Sequence, residues 1–223
     1  MDAATRAAAL SDAAVGAAGC TRCALAEGRT QVVFGQGNPD AELAFVGEAP
    51  GFHEDRDGVP FAGRTGELLQ HLLGGVGIAI EDVYFATVLK CRPPGNRDPL
   101  PEEIAACEPH LYAELELVRP RVVASLGSFA TTLLSGRALG ITRVHGQAQD
   151  VTLGGRSVLL YPLYHPAAAL YAPSMLDVLA QDMARLPALL SHDADDTISA
   201  VTRPAPETAA VAPSRQPVQL GLF

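Results

Sequence analysis

Four cysteines are the residues whose type and spacing most directly suggest chemistry. Cys20 and Cys23 form a C-x-x-C pair, and Cys91 and Cys107 follow far downstream. In a chain that we expect to be cytoplasmic, four thiols are better explained by metal binding than by disulfides. Cys₄ sets hold both structural zinc and [4Fe–4S] clusters, so the spacing leaves these two alternatives open. A third alternative, four unrelated thiols, applies if Cys107 is only part of a helix core.

A second group of chemically capable residues lies in four short segments, each of which follows an apolar run. They are GEAPG (47–51), KCRPPGNR (90–97), GSFA (127–130) and YHPAAAL (164–170). Together they supply a carboxylate, basic groups, an amide and an imidazole. Glycine and proline in the same segments favour tight loops over continued strand or helix.

The elements that position these segments alternate along the chain. Apolar runs predict strands at 42–47, 82–89, 121–127 and 156–166, and helical patterns occupy 1–19, 65–78, 101–118, 128–135 and 174–190. This alternation indicates βαβ units and a largely parallel sheet covered on both faces. Ligand sites in such sheets lie at the carboxyl ends of the strands. All four segments fall there, which predicts a single active site.

Length and composition limit the class of protein. A chain of 223 residues with 48% hydrophobic residues has material for one substantial core. No apolar run approaches the ~18 residues of a membrane span, and the first residues lack a signal-peptide pattern, so we expect a cytoplasmic protein. The net charge of −9 disfavours nucleic acid as a partner. Any DNA contact must therefore use local basic loops, helix N-termini and backbone N–H groups.

Three separated motifs carry a resemblance to a known family. The segment from Cys20 to Leu69, the segment KCRPPGNRDPLPEEIAAC and YHPAAAL resemble family 4 uracil-DNA glycosylases. The match runs from about Cys20 to Leu186. It implies an α/β/α sandwich with a four-stranded, mainly parallel sheet. It also implies a structural [4Fe–4S] cluster on Cys20, Cys23, Cys91 and Cys107, and the removal of uracil from DNA.

The resemblance assigns three catalytic candidates. Glu48 matches the residue that positions the attacking water or offsets charge on the sugar. Asn96 matches a polar residue near that water. His165 matches the imidazole that donates to uracil O2 and stabilises the leaving anion. These residue types suit the reaction, because cleavage of an N-glycosidic bond develops positive charge on the sugar and negative charge on the base.

The resemblance also implies substrate-binding positions. Phe61 matches the ring on which uracil stacks, and Glu54 matches a second family carboxylate. Ala49 lies beside Glu48 in the same loop. Leu170 is the candidate wedge of a loop that enters the DNA helix when the base is flipped out.

Thr87 is the position at which the sequence departs from the family pattern. The family has an asparagine there, which presents a donor and an acceptor to uracil N3–H and O4, whereas ATVLKC has threonine. Losing such a bidentate contact typically costs about 1–3 kcal/mol, or roughly 5- to 150-fold in discrimination. We therefore expect weakened uracil recognition or broader tolerance for deaminated bases.

Three basic residues surround the cysteine loop. Lys90, Arg92 and Arg97 flank Cys91 and are expected to supply a local positive field for DNA. On this hypothesis Cys91 anchors one end of a DNA-facing loop.

The C-terminal part has a different composition. We expect a glycosylase-like domain over 1–190 and a flexible linker over 191–218, rich in Ala, Pro, Thr and Asp. Gln219–Phe223, QLGLF, resembles the peptide that bacterial repair proteins insert into the sliding clamp. The expected partners are thus DNA and this clamp, for a monomer associated with the nucleoid.

Two alternatives to the glycosylase remain open. In the first alternative, the chain is a DNA-binding iron–sulfur module whose catalysis is weakened by Thr87. In the second, it is a zinc-stabilised nucleotide-binding protein. The combination of Glu48, Phe61, Asn96 and His165 favours the enzyme.

Overall fold

Short apolar strands form the centre of the molecule. The computed structural model describes residues 1–138 and 140–191. Its strands are β1 (Gln36–Gly37), β2 (Leu43–Gly47), β3 (Val83–Thr87), β4 (Val122–Leu126), β5 (Gln149–Leu153) and β6 (Arg156–Leu163). They form one sheet in the order β1–β3–β2–β4–β6–β5.

The four central strands run parallel. β2 pairs with β3 and β4, and β4 pairs with β6, all in parallel register. Every residue of β2 and β4 is buried, because helices cover both faces of the sheet. The parallel direction brings Gly47, Thr87, Leu126 and Leu163 to the same edge, so the loops that follow them are neighbours.

Helices form the two outer layers. Their bounds are α1 (Ala3–Ala18), α2 (Leu25–Gly28), α3 (Phe52–Asp57), α4 (Arg64–Gly75), α5 (Pro101–Val118), α6 (Gly127–Ser135), α7 (Ile141–Val144), α8 (Pro166–Ala169), α9 (Pro173–Met183) and α10 (Leu186–Ser191). Alternate side chains of β2 enter two separate cores. Ala44 and Val46 pack with residues of α1, α5 and α6, whereas Leu43 and Phe45 pack with residues of α4, α9 and α10.

The predicted three-layer sandwich and its parallel four-stranded centre are confirmed. Two edge strands were not anticipated, and both pair antiparallel: β1 with β3, and β5 with β6. The described residues therefore form a six-stranded sheet. Gly154 and Gly155, both at positive φ, make the two-residue turn between β5 and β6. Gly-Gly between alternating residues is a hairpin signal, so the sequence contained the information for β5.

One predicted helix is divided. The segment 174–190 forms α9 and α10 with a break between Met183 and Leu186, rather than one continuous helix. Pro187 explains the break, because proline lacks the N–H that a helix interior requires and its ring clashes with the carbonyl four residues earlier, that of Met183.

Within the described residues no helix is long and apolar enough to cross a membrane. The predicted linker beyond residue 191 and the peptide Gln219–Phe223 lie outside the described residues.

Candidate active site

The loops that follow β2, β3 and β6 enclose a cleft of about 350 Å³ at the carboxyl edge of the sheet. Most of the site residues predicted from the sequence line it. These are Glu48, Ala49, Glu54, Phe61, Thr87, Asn96 and His165. The topology therefore brings together residues that lie more than a hundred positions apart in the chain.

Glu48 lies directly after β2 and is half-buried. Its backbone oxygen accepts a hydrogen bond from Leu89 N at 2.9 Å, which joins the loop after β2 to the segment after β3. Burial raises the pKa of the Glu48 carboxyl above its ordinary value, and the negative charge of nearby Asp98 raises it further.

Glu54 has a structural partner. It occupies the first turn of α3, and its Oε2 accepts a hydrogen bond from Gly51 N at 3.0 Å. This contact caps α3 and closes the GEAPG loop around Glu48. One oxygen of this carboxylate thus shapes the loop, although the residue lines the cleft.

Phe61 is held in a strained conformation. Its φ is +55°, a left-handed value that costs a bulky residue about 1–3 kcal/mol unless its surroundings enforce it. The ring packs against Phe85 at 5.6 Å between centroids and faces the ring of His165 at 6.5 Å with an interplanar angle of 26°. Gly47 permits this arrangement, because a Cβ at that position would lie 2.7 Å from Phe61 Cζ.

We expect Gly47→Ala to lower the free energy of unfolding by about 1–3 kcal/mol, because the added methyl group displaces a ring that Phe85 and His165 confine. Thermal denaturation measures this. Gly74→Ala is the matched control, since no atom lies within 4 Å of its added Cβ. The control should be neutral or slightly stabilising. Equal melting temperatures for the two variants would contradict the proposed confinement.

His165 begins the loop after β6 and caps α8. Its Nδ1 accepts a hydrogen bond from Ala167 N at 3.2 Å. Nδ1 is therefore unprotonated, and the proton of the neutral ring is on Nε2. Burial lowers the pKa of His165 to about 4, which keeps the ring neutral at ordinary pH. The result is an uncharged N–H donor in the cleft.

Thr87, at the end of β3, is 4% exposed. Its hydroxyl donates to the carbonyl oxygen of Leu89 at 2.7 Å. Because a carbonyl only accepts, this bond uses the hydroxyl proton. Oγ1 thus offers the cleft lone pairs and no donor.

Asn96 lies at the mouth of the cleft with a positive φ of 54°. Its Oδ1 accepts from Arg92 Nε at 2.7 Å, which leaves the amide NH₂ as a donor. The Arg92 guanidinium also lies over the ring of Phe52, 5.2 Å from its centroid. Phe52 is 54% exposed, so the mouth presents an aromatic ring and a cation together.

Leu170 is not among the residues that line the cleft. It is half-buried and forms the C-terminal cap of α8, whereas its neighbour Tyr171 is 82% exposed. The predicted wedge position is thus less exposed than the aromatic residue that follows it.

Three basic residues around Cys91 were predicted to supply a positive field for DNA, but two of them, Lys90 and Arg97, are paired with carboxylates. Lys90 is 1% exposed and forms an ion pair with buried Glu114, so its inclusion was wrong. A buried, paired ammonium contributes no field to the surface. Arg97 makes a bidentate pair with Glu103 at 2.9 and 2.6 Å. Arg92 contacts an amide and a ring instead of a carboxylate.

The four cysteines line a second cavity, on the α1 and α5 side of the sheet. Cys91 and Cys107 are buried, and Cys20 and Cys23 are partly exposed. A guanidinium and a backbone amide contact the thiols: Arg29 Nη1 lies 3.4 Å from Cys91 Sγ, and the backbone N–H of Lys90 donates to Cys107 Sγ at 3.1 Å.

The lining of this cavity suits a thiolate-bound group, because it combines the four thiols with the side chains of Arg22, Arg29 and His110. His110 Nε2 is buried there without a hydrogen-bond partner. Burial raises the pKa of Cys91, and that of Cys107 to about 11, whereas metal ligation uses the thiolate, which a bound cation stabilises. Across the described residues, no three His, Cys, Asp or Glu side chains are grouped as ligands of one metal ion.

Other residues of the site were not found by sequence reasoning. Thr65 and Ala167 line the cleft, and Glu114 holds Lys90. Pro166 followed by small residues is a helix-start signal that could have identified the N–H of Ala167. Nothing local in the sequence marks Glu114, because its role depends on a contact across the fold.

Comparisons with known proteins identify the family of this chain. A family model described as the uracil DNA glycosylase superfamily matches residues 34–186. The chain is 43% identical over 171 residues to a type-4 uracil-DNA glycosylase of Archaeoglobus fulgidus, an alignment that covers 75% of this chain and 86% of that protein. The type-4 uracil-DNA glycosylase of Saccharolobus solfataricus is 41% identical over 177 residues, covering 77% and 82%. That of Thermotoga maritima is 48% identical over 149 residues, covering 66% and 76%. The resemblance inferred from the motifs is thus confirmed, and the chain belongs to the uracil-DNA glycosylase superfamily, among its type-4 members.

Proposed function

We propose that this protein hydrolyses the N-glycosidic bond of uracil, and of related deaminated bases, in DNA and leaves an abasic site. The observation that carries the proposal is the neutral imidazole of His165, whose donor Nε2–H is fixed by the bond from Ala167 N to Nδ1. Such a donor stabilises a departing uracil anion. The ring of Phe61, opposite that imidazole, supplies a stacking surface for a flipped base.

The remaining residues are assigned to the sugar side of the reaction. As the bond breaks, its electron pair moves to the base, where Nε2–H of His165 donates to the developing charge on O2. Positive charge develops on the sugar, and the Glu48 carboxylate offsets it or orients the attacking water. The Asn96 NH₂ group lies at the mouth of the cleft and donates a hydrogen bond to that water. The reaction cleaves no DNA strand.

Glu48 must be ionised for this role, so its raised pKa predicts the acidic limb of the pH–rate profile. The rate falls as pH decreases through the pKa of Glu48, above the ordinary glutamate value of about 4.3. Asp98→Asn removes one of the two causes and should move the limb to lower pH. Single-turnover excision at a series of pH values measures the shift. An unmoved limb in Asp98→Asn would contradict the assignment to Glu48.

We assign Cys20, Cys23, Cys91 and Cys107 as ligands of a [4Fe–4S] cluster. The four thiols line one cavity, and Cys₄ sets hold both zinc and such clusters. The resemblance of the cysteine motifs to the family favours the cluster over zinc. When bound, the cluster cross-links the chain around α1, β3 and α5. Iron and sulfide analysis with visible absorbance tests this assignment, since zinc gives no visible band.

We also propose that DNA is the substrate and that the protein acts at the nucleoid as a monomer. We further propose that Gln219–Phe223 binds a bacterial sliding clamp through its apolar side chains, and that residues 191–218 act as the tether. This part of the proposal rests on the sequence, because the peptide lies outside the described residues.

The deciding experiment is single-turnover excision by cluster-loaded protein. Matched oligonucleotides carry uracil, hypoxanthine or xanthine, single-stranded or opposite guanine or adenine. Release of uracil supports the enzyme. Binding without release of any base, with excision appearing only in Thr87→Asn, identifies the second candidate, a DNA-binding iron–sulfur module of the same fold. Thr87 is the observation that favours this alternative.

A further inference from the structure

We propose that the buried ion pair of Lys90 and Glu114 positions the segment Thr87–Cys91, which joins the base pocket to the cysteine cavity. The inference rests on the proposed function, because the segment carries the base-recognising position at one end and a cysteine ligand at the other. In this role Lys90 and Glu114 are positioning residues that contact neither the base nor the sugar.

The pair is enclosed by protein, and both side chains make hydrogen bonds to the backbone as well as to each other. Lys90 is 1% exposed and Glu114 is 0% exposed. Lys90 Nζ donates to Glu114 Oε2 at 2.5 Å and to the backbone oxygen of Thr87 at 2.8 Å. Glu114 Oε1 accepts from Gly35 N at 2.6 Å. The ammonium therefore fixes the carbonyl of Thr87 to α5.

The site is closely fitted around the carboxylate. A Cβ on Gly35 would lie 2.5 Å from Tyr84 Oη and 2.8 Å from Glu114 Oε1, so glycine is required for the backbone to approach. The Lys90 ammonium lies 5.6 Å from the centroid of the Phe34 ring. Strands β1 and β3 and helix α5 thus converge on one pair of charges.

Backbone contacts extend the same anchoring in both directions. Val88 N and Leu89 N donate to the carbonyls of Gly47 and Glu48, each at 2.9 Å, which ties the segment to the catalytic loop. Lys90 N donates to Cys107 Sγ at 3.1 Å. A displacement of Lys90 therefore moves Thr87 and Leu89 relative to Glu48, and Cys91 relative to Cys107.

Stability alone does not account for such a pair. Desolvation of two charges offsets much of their attraction, and apolar residues of similar volume often replace buried ion pairs without loss of stability. Directional bonds to Thr87 and Gly35 instead fix one arrangement of the segment, which apolar side chains do not specify.

The test removes both charges together, as Lys90→Met with Glu114→Leu, so that neither is left buried and unpaired. The control, Arg6→Met with Asp40→Leu, removes a surface ion pair at the opposite end of the sheet. Iron content and the melting temperature are measured first. Single-turnover excision at increasing enzyme concentration then separates the maximal rate from the half-saturating concentration.

We expect the double variant to fold with its cluster, to bind DNA with an unchanged half-saturating concentration, and to lose roughly 10- to 100-fold in maximal rate. The control should match the wild type. A folded double variant with an unaltered maximal rate overturns the proposal. If the double variant does not fold, Glu114→Gln replaces it, because the amide keeps the volume and an oxygen acceptor for Lys90 Nζ. This variant leaves the Lys90 ammonium without a counter-ion, so its iron content and melting temperature are compared with the wild type before its rate is interpreted. Glu114→Gln should lower the maximal rate several-fold, and an unaltered rate likewise overturns the proposal.

A failure of the proposed function can be distinguished from a failure of the positioning role. If the wild type releases no base, hydrogen exchange at the amides of Val88 and Leu89 tests the positioning alone. Faster exchange in the charge-free variant, with no change in the control, supports it. Equal exchange rates in all three proteins overturn it.

Discussion

His165→Ala should lower the single-turnover rate of uracil excision by roughly 100- to 1,000-fold, which is the usual effect of removing one donor to a developing anion. The cleft and the Phe61 ring remain, so binding of uracil-containing DNA should change much less than the rate. The measurement is excision with enzyme in excess, together with the DNA dissociation constant.

The pH dependence identifies the form of His165 that acts. Burial lowers its pKa to about 4, so the imidazole is neutral at higher pH and its contribution to the rate should be constant from about pH 5 to 8. Below its pKa, a proton on Nδ1 displaces the hydrogen bond from Ala167 N and disturbs the loop. A rate change near pH 6.5, present in the wild type and absent from His165→Ala, would contradict the neutral-donor role.

Thr87→Asn should increase the single-turnover rate of uracil excision by roughly 5- to 150-fold. The hydroxyl of Thr87 donates to Leu89 O, so it accepts from the N–H of a base without offering a donor to uracil O4. An asparagine amide presents both groups and restores the bidentate contact. Hypoxanthine carries the same pair, N1–H and O6, so its excision should rise together with that of uracil.

Two further variants separate the effect of the Thr87 hydroxyl from the effect of the side chain's shape. Thr87→Ser keeps the acceptor and should resemble the wild type in excision of both bases. Thr87→Val keeps the shape but leaves Leu89 O without this donor, so excision of both bases should fall and the fold should be less stable. Unchanged excision of both bases in Thr87→Asn would show that position 87 does not recognise the base.

Much of the site follows from local sequence. Segments such as GEAPG and YHPAAAL stop a strand with glycine or proline, and the alternation of strands and helices predicts that such stops share one edge of the sheet. The cysteine spacing and the apolar runs are likewise properties of short segments. The three layers and the gathering of Glu48, Thr87 and His165 were therefore predictable.

What tertiary structure decided is how each polar group is used. The sequence predicted Lys90 to be a surface charge, but the fold packs it against Glu114 of α5, which lies 24 residues away in the chain. Gly35 N donates to a carboxylate 79 positions further along the chain. Composition and periodicity report which side chains are available, but hydrogen bonds require atoms within about 3 Å, and long-range packing alone sets such distances. The sequence by itself determined the residues at the site; the fold determined that Thr87 only accepts, that His165 donates as a neutral ring, and that Lys90 is buried behind them.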